Sequence, residues 1–327
     1  MHYDVFNGDA DGIIALLQLR LAEPKQSVLI TGVKRDIALL QRVDAKQAKS
    51  VCVLDISLEK NIAAVEHLLN HKTEIFYVDH HRTGNISIIE KDDNFTGLLN
   101  TDANICTSLL VNNYLEDRFA HWAIAAAYGD NMLQSAQQLA DKVGLSVAQR
   151  NFLAELGVYI NYNGYGASLE DLHFHPAELF KLLKNYQNPL ILQTQKDSVF
   201  FTLKKAYQAD MAKAQAAQTL FENENCKVVK LADQAWARRV SGVFGNELAN
   251  QSPEKVHAVL TLNEQTNDAA LTYTVSVRAP INNKQGADEV CSQFATGGGR
   301  AGAAGINKLP QSEVDNFIRS LTDFYRC

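Results

Sequence analysis

The chain has little proline and cysteine, and it has no long apolar run. It contains 6 prolines and 5 cysteines in 327 residues, and no two cysteines form a C-x-x-C pair. That spacing argues against a disulfide framework and against a structural zinc site. There is no 18-residue apolar stretch, no signal-type segment after Met1 and no lipidation motif at Cys327. We therefore expect a soluble cytoplasmic protein with no membrane partner.

The chain also lacks an excess of positive charge. It has 31 Lys and Arg against 37 Asp and Glu, which gives a formal net charge of −6 and a pI near 5.9. Such a molecule does not attract long polyanions, which argues against a processive binder of duplex DNA. Short substrates, whose one or two phosphates are neutralised locally, fit this charge better.

What the chain does contain is a regular alternation of apolar strands and helices in its first half. At 46% hydrophobic residues it is large enough for two domains, each with its own core. The alternation predicts an α/β fold with a parallel sheet. The predicted strands are 2–7, 28–33, 51–55 and 75–79, and the predicted helices are 11–23, 36–46, 59–70 and 104–117.

The second half of the chain predicts a smaller α/β domain. Residues 118–185 are mainly helical in pattern, and 186–198 is predicted to be a linker between domains 1–185 and 199–327. We expect a cleft between the two domains. In the second domain the pattern predicts a long helix at 199–221, strands at 226–231, 257–263 and 270–278, and a last helix at 311–325.

Acidic and histidine residues follow several of the apolar segments, each time where the segment ends. Asp9 and Asp11 lie two residues apart in the turn 7–12, between the first strand and the first helix. Since the carboxyl ends of parallel strands meet at one edge of a sheet, we expect these side chains to converge. The other members of the group are Asp55 after 51–54, Asp79-His80-His81 after 75–78, and Asp130 after the apolar run 123–128.

This much negative charge in one crevice predicts a bound cation. Carboxylates with one or two imidazoles suit Mn²⁺ first and Mg²⁺ next, with Co²⁺ also possible, whereas structural zinc more often uses paired cysteines. A bridging carboxylate, for which Asp55 is the best placed, would allow two ions roughly 3.5–4 Å apart. The chemistry predicted is hydrolysis of a phosphoester or phosphoanhydride.

Each motif alone also has a purely structural interpretation. The turn 7–12 can be an Asx-rich helix cap, Asp55 can cap a strand end, and Asp130 can be a turn residue beside Gly129. A negative charge at a helix C-terminus interacts unfavourably with the helix dipole, however, so a nearby cation would stabilise Asp130. The ordered occurrence of all the motifs favours the metal site.

This ordered set of motifs resembles the DHH phosphoesterase family. A second signature, Gly297 to Gly305, resembles the glycine-rich substrate-binding motif of the DHH-associated C-terminal domain. The resemblance implies an N-terminal DHH domain, a C-terminal substrate-binding domain and a hydrolase that usually depends on Mn²⁺. The run Gly297-Gly298-Gly299-Arg300 could otherwise be a flexible surface loop, and its consecutive N–H groups would form an anion-binding nest.

The resemblance also implies a role for each matched residue. Asp9 would bind a first metal, Asp55 would bridge, and a second metal would be bound by Asp11, His80 and Asp130. Asp79 would orient its neighbours, and His81 would act near the scissile phosphate as a hydrogen-bond donor or acid. Gly297, Gly298, Gly299 and Arg300 would bind substrate. Arg278, in the strand-like segment 271–278, is either a phosphate-binding residue or an exposed one.

Two departures from the family pattern stand out. The family commonly has a histidine four residues before the first Asp, as a ligand of the first metal, and this chain has Val5 there. Asn7 is a possible contact to that metal or to a water. After the three glycines the family usually has histidine, whereas Arg300 stands here and retains phosphate binding without titrating. Both departures indicate a divergent subgroup.

The predicted function is a phosphodiesterase that hydrolyses short oligonucleotides or linear dinucleotides to mononucleotides. A short single-stranded nucleic acid or dinucleotide is the expected partner, and a homodimer is possible. The alternatives are a cyclic-dinucleotide phosphodiesterase, a nucleoside-bisphosphate phosphatase and a non-catalytic nucleotide-binding sensor. The last alternative rests on Val5 in the histidine position.

Overall fold

A computed structural model describes residues 1–263 and 270–326. The chain divides into two compact units, Met1–Lys205 and Ala206–Cys327. The division therefore lies after the predicted linker 186–198, inside a helix. The predicted linker itself contains a 3₁₀ helix at Pro189–Thr194, in which Leu192 is fully buried.

The first unit is built on a five-stranded, all-parallel sheet of order β2-β1-β3-β4-β5. Helices α1 and α2 connect its first strands, and α3 to α7 follow β5. The strands are β1 (His2–Phe6), β2 (Val28–Ile30), β3 (Ser50–Leu54), β4 (Glu74–Asp79) and β5 (Phe95–Leu99). The helices are α1 (Ala10–Ala22), α2 (Leu58–Asn70), α3 (Thr107–Tyr114), α4 (Ala120–Gly129), α5 (Leu133–Lys142), α6 (Val147–Asn163) and α7 (Pro176–Leu183). Helix α8 (Val199–Gln215) begins in this unit and ends in the second.

The core of the first unit forms on both faces of the sheet. Val5, Val51 and Val53 on one face pack with Val65 and Leu68 of α2. Helix α1 is apolar on nearly all sides and is buried from Ala10 to Arg20, because it packs against α3, α4 and the sheet. A helix that is buried all round needs no amphipathic stripe. This packing fixes the turn before α1 against the sheet edge.

The second unit contains a six-stranded mixed sheet of order β10-β11-β9-β8-β7-β6. Among these described strands only β7 and β8 run parallel; the other neighbours are antiparallel. Helix α9 contacts β8 and β9, while α10 and α11 contribute to an apolar cluster with the strands. The strands are β6 (Gln218–Glu222), β7 (Cys226–Leu231), β8 (Val256–Leu262), β9 (Thr272–Arg278), β10 (Gly297–Arg300) and β11 (Ala303–Pro310). The helices are α9 (Ala235–Gln251), α10 (Ala287–Cys291) and α11 (Val314–Phe324). The fold class expected from the sequence, a parallel-sheet domain followed by a smaller α/β domain, is confirmed.

Two element predictions are wrong. The predicted helix 36–46 is only a 3₁₀ helix at Leu39–Arg42, because the Asp44 side chain accepts the Lys46 N–H in an Asx turn that competes with a helix. The predicted helix 199–221 ends at Gln215, and Gln218–Glu222 instead pairs with β7 as an edge strand. The glycine run, for which the sequence left a flexible surface loop open as the alternative, is strand β10.

Within the part of the chain that the structure describes, every helix is too short or too polar to cross a membrane.

Candidate metal centre

The register of the parallel sheet brings the predicted residues side by side. Phe6 pairs with Leu54, and Leu54 pairs with Val78, so three neighbouring strands end at the same level. Asn7, Asp55 and Asp79 lie at or directly beyond these ends. The geometry expected at the carboxyl edge of an open parallel sheet is therefore present.

The turn after β1 caps helix α1, which is the structural role considered for it from the sequence. Asp9 is the N-cap of α1, and its Oδ1 accepts the N–H groups of Asp11 at 3.0 Å and Gly12 at 3.1 Å. Asn7 Oδ1 accepts the Asp9 N–H at 3.2 Å. Capping uses Oδ1 of Asp9, so Oδ2 remains available for a cation.

The Asp11 side chain is oriented by the start of another helix. The Thr107 N–H donates to its Oδ2 at 2.8 Å, and the Ser108 N–H donates to its Oδ1 at 2.7 Å. Both donors belong to the first turn of α3, whose N–H groups and dipole favour a negative charge. These two hydrogen bonds fix the orientation of the Asp11 carboxyl group in a site where it is almost completely buried.

His80 has the arrangement of a metal-ligating histidine. Its Nδ1 lies 2.8 Å from the Ile105 carbonyl oxygen, which only accepts, so Nδ1 carries the proton and Nε2 presents its lone pair. Nε2 lies 3.3 Å from Asp55 Oδ1 and 3.9 Å from Asp11 Oδ2. Ligand atoms placed about 2.1 Å from one ion are roughly 3 to 3.5 Å apart, so a small adjustment closes this set around a cation.

Asp55 has an unfavourable environment unless a cation is bound. It has φ 59°, in the left-handed region, and only Asn, Asp and Gly adopt that conformation readily. Burial, together with the negative charges of Asp11 and Asp9, raises the pKa of Asp55 well above its usual range. Its Oδ1 accepts a hydrogen bond from the Thr107 hydroxyl at 3.2 Å. A divalent ion would reverse the balance and stabilise the carboxylate.

Asp79 and His81 form a pair beside this cluster. Asp79 is fully buried, and its Oδ1 accepts the His81 Nδ1–H at 2.7 Å and the His80 N–H at 2.9 Å. Its Oδ2 accepts the Leu58 N–H at the start of α2, at 3.2 Å. His81 is 31% exposed, so its ring is accessible from solvent while Asp79 fixes its orientation. The ligand atoms of Asp55, His80 and His81 all lie within 4.8 Å of one another.

Asp130 and Asp9 lie on either side of a lysine that sequence reasoning missed. Lys34 Nζ is 2.5 Å from Asp9 Oδ2, 3.6 Å from Asp130 Oδ1 and 3.2 Å from Asn161 Oδ1. It also lies 5.3 Å from the centre of the Tyr165 ring. Burial opposes the charge on Lys34, but Asp9 and Asp130 outweigh it and raise the pKa of Lys34 well above its usual range.

The sequence held one signal for Lys34. It follows β2, whose carboxyl end lies at the same sheet edge as the acidic residues, in the short segment Val33-Lys34-Arg35-Asp36. Asn161, in the last turn of α6, carried no signal at all. Gly164 shows how closely this helix end approaches the Asp9 turn, because a Cβ there would lie 2.9 Å from the Asp9 Cα.

The other predicted binding residues lie in the second unit. Strand β10 is at the edge of its sheet, and Arg300 and Arg278 both pair with Ala303, from opposite sides. Residues that face each other across antiparallel strands share a face of the sheet, so both arginines belong to one face with a small residue between them. Arg278 is already held there, since it donates to Asn246 Oδ1 at 2.5 Å and to Ser276 Oγ at 3.0 Å.

The glycine run does not form the nest of consecutive N–H groups expected from the sequence. Gly297 to Gly299 pair with β11, and only alternate N–H groups of an edge strand point away from the partner strand. Gly298 lies under open space, since no atom of the residues that the structure describes is within 4 Å of a Cβ built there, whereas Gly297 is packed against the Cys291 carbonyl. An approaching ligand therefore has access to the backbone at Gly298.

Comparison with known proteins gives a match at the level of the fold. The sequence matches no family model and no curated protein. Among solved structures, it is similar to exonuclease RecJ bound to manganese, with a TM-score of 0.58, 15% identity, and coverage of 99% of this chain and 89% of that one. It is also similar to RecJ from Thermus thermophilus in complex with Mn²⁺, with a TM-score of 0.54 and 14% identity. The alignment covers 99% of this chain and about half, 52%, of that protein.

A third similar structure is the pGpG-specific phosphodiesterase PggH from Vibrio cholerae. The TM-score is 0.52 with 13% identity, and the alignment covers 99% of this chain and 98% of PggH. RecJ and PggH are both DHH-family members, and the match extends over the full chain. At 13–15% identity these matches show the fold, and the fold implied by the resemblance of the motifs is confirmed.

Proposed function

We propose that this chain is a DHH-family, metal-dependent phosphodiesterase that hydrolyses short oligonucleotides or linear dinucleotides to mononucleotides. The observation that carries the proposal is the convergence of Asp11, Asp55 and His80 at the sheet edge, with the ligand nitrogen of His80 aimed at both carboxylates. The fold shared with an exonuclease and with a linear-dinucleotide phosphodiesterase supports the substrate class.

The residues present fit a divalent ion. Asp11, Asp55 and His80 would hold it, and Asp79 would fix the position of the neighbouring histidine. Carboxylate oxygens with one imidazole suit Mn²⁺, which is also the ion bound in the RecJ structures. Such an ion lowers the pKa of a bound water and neutralises charge on a phosphoryl oxygen.

His81 is the residue placed to handle a proton. Its Nδ1–H is committed to Asp79, which leaves Nε2 as the atom that exchanges a proton or a hydrogen bond with the scissile phosphate. Asp79 cannot itself reach substrate, because it is fully buried and accepts three hydrogen bonds. Its role in the proposal is to hold the tautomer and orientation of His81.

Substrate binding is assigned to the glycine hairpin of the second unit, formed by β10 and β11. Gly298 offers open backbone, and Arg300 and Arg278 place two guanidinium groups on one face of the sheet. Guanidinium groups bind phosphate in a bidentate manner and keep their charge at any physiological pH. Arg300 would make that contact, whereas Arg278, whose Nε and both Nη atoms already donate within the chain, would add positive charge beside it.

The experiment is a panel of possible substrates incubated with Mn²⁺. Linear dinucleotides, longer single-stranded oligomers, cyclic dinucleotides and nucleoside bisphosphates are each incubated with the full chain, and the products are separated by chromatography. We expect mononucleotides from the linear dinucleotides and short oligomers, and no turnover by Asp55→Asn. Turnover confined to cyclic dinucleotides or bisphosphates would assign the corresponding alternative function. Tight binding without turnover of any compound would make the chain a nucleotide sensor.

A further inference from the structure

Lys34 lies between Asp9, a predicted ligand of the first metal, and Asp130, a predicted ligand of the second. Its ammonium group lies among the carboxylates of Asp9 and Asp130 and the amide oxygen of Asn161, at 2.5, 3.6 and 3.2 Å. Asp9 and Asp130 are two of the residues predicted to bind metal. A primary ammonium carries three N–H donors, and three oxygens surround it here.

The backbone around Lys34 shows that this position is built into the fold. The Lys34 N–H donates to the Gly164 carbonyl at 2.8 Å, and the Asn7 side-chain amide donates to the Lys34 carbonyl at 3.3 Å. Asn7 also accepts the Asp9 N–H, so it ties the lysine segment to the acidic turn. Asn7 is predicted from the sequence as a possible contact to a metal or a water. Its side chain instead holds the Lys34 backbone in place beside the Asp9 turn.

Val5 agrees with this arrangement. It takes the position of the histidine that the family commonly uses for the first metal, and its side chain is fully buried in the apolar cluster of the sheet. It therefore offers no ligand. The ammonium of Lys34, 2.5 Å from Asp9 Oδ2, would also repel a divalent ion bound to the same carboxylate, since two positive charges about 4 Å apart inside a protein interact strongly.

We propose that Lys34 is a built-in cation that replaces one of the two divalent ions, so that the chain binds a single ion at Asp11, Asp55 and His80. The inference rests on the proposed metal site, and it adds the number of metal ions that the site binds per chain. It also explains how a chain without the first histidine ligand balances the charges of Asp9 and Asp130.

The test is the number of Mn²⁺ ions bound per chain, measured on the full protein by isothermal titration and by electron paramagnetic resonance, with no substrate present. We expect one ion in the unchanged protein, with the spectrum of an isolated Mn²⁺. In Lys34→Met the carboxylates of Asp9 and Asp130 no longer face an ammonium group and should take a second ion, and the spectrum should show coupling between two ions. Lys49→Met, an exposed lysine at the opposite edge of the sheet, should still bind one ion.

The outcomes separate this inference from the proposed function. Two ions in the unchanged protein would overturn the role of Lys34 and leave the metal site intact. A single ion of unchanged affinity in Lys34→Met would overturn it as well. No ion in the unchanged protein, with Asp55→Asn giving the same result, would remove the metal site on which both proposals rest. The unchanged protein decides the stoichiometry even where Lys34→Met fails to fold.

Discussion

Asp55 illustrates how a single residue can serve a site at the expense of stability. Its left-handed backbone costs about 1–3 kcal/mol in a residue other than glycine, and its carboxylate is buried near Asp9 and Asp11. Asn is the best replacement, because it adopts the same backbone conformation and keeps the side-chain shape.

We expect Asp55→Asn to abolish function and to stabilise the metal-free protein. Turnover should fall by about 10³-fold or more, the scale of loss when a group that acts in the transition state is removed. The free energy of unfolding in EDTA should rise by about 1–2 kcal/mol, since a buried carboxylate among like charges is removed. Urea unfolding and product chromatography measure the two effects. A variant that is less stable than the unchanged protein in EDTA would contradict this account of Asp55.

The metal-free protein should also lose stability as the pH rises. The folded-state pKa of Asp55 is raised, so the folded protein holds its proton at pH values where the unfolded chain has released it. Folding stability therefore decreases with pH from about 3.9, the ordinary Asp value, upward through the folded pKa. In Asp55→Asn this part of the pH dependence should disappear. Urea unfolding in EDTA across this pH range gives the unfolding free energy of the unchanged protein and of Asp55→Asn. If this free energy changes equally with pH in both proteins, Asp55 is not the source of the pH dependence.

His257 predicts a pH dependence of the opposite sign in the second unit. It is almost completely buried in β8, its Nδ1 has no hydrogen-bond partner among the described residues, and burial lowers its pKa from 6.5 to about 4. Between these values the unfolded chain binds the proton and the folded chain does not, so stability is complete above pH 6.5 and falls as the pH drops towards 4. Going from about pH 7 to about pH 5 should cost about 2 kcal/mol from this residue.

His257→Leu tests this prediction, because leucine fills the space without titrating. On going from about pH 7 to about pH 5, the unchanged protein should lose about 2 kcal/mol more unfolding free energy than the variant. Urea unfolding at both pH values gives the difference. If the difference is the same at both, His257 is not the source of the acid sensitivity.

At the scale of elements, the sequence predicts those segments whose pattern is local. Strands β1, β3 and β4 and helices α1 and α2 agree with the prediction within a few residues. Strand β5 was missed because its edge position leaves Thr96 and Gly97 exposed and removes the apolar run that marks a buried strand. The local pattern of β6 predicts a helix. The segment is a strand because its pairing with β7 overrides that local pattern.

The candidate site shows the same division between local and distant information. Strand-end position was enough to gather Asp11, Asp55 and His80, since the parallel register follows from the strands themselves. Lys34 and Asn161 are 127 positions apart and meet only through the packing of α6 on the Asp9 turn. No pattern in either segment encodes that contact, so it needed the structure.

Strand β10 allows a matched pair of substitutions that separates folding from binding. A Cβ at Gly297 would lie 1.7 Å from the Cys291 carbonyl oxygen, whereas at Gly298 nothing lies within 4 Å. We expect Gly297→Ala to lower the free energy of unfolding by about 2 kcal/mol or more, as overpacking against backbone does. Gly298→Ala should leave stability unchanged and raise KM about tenfold, because its methyl group fills the space that substrate approaches.

Thermal unfolding and steady-state kinetics on the full chain measure this pair. An unchanged KM in Gly298→Ala would remove the glycine hairpin from the substrate site while leaving the metal centre unaffected. Equal destabilisation by both substitutions would show that the open space above Gly298 is filled in solution.

At the scale of the whole molecule, the net charge bears on the length of substrate that we propose. The chain has a formal net charge of −6, so its average field repels a polyanion. In the proposed function, attraction comes from local groups such as Arg300. A dinucleotide needs only that local field. A long oligomer must also bring many phosphates close to acidic surface.

We therefore expect kcat/KM to be about tenfold or more higher for a dinucleotide than for an oligomer of about 20 nucleotides at low salt, because repulsion slows the approach of the longer chain. Raising the salt to about 0.3 M shortens the screening length to several ångströms and should narrow the ratio by improving the longer substrate. Initial rates with single-stranded substrates of matched composition, at several salt concentrations, measure the ratio. A basic binding groove would give the reverse result, in which the longer substrate is preferred at low salt and loses that preference as salt is added, and this outcome would contradict the short-substrate proposal.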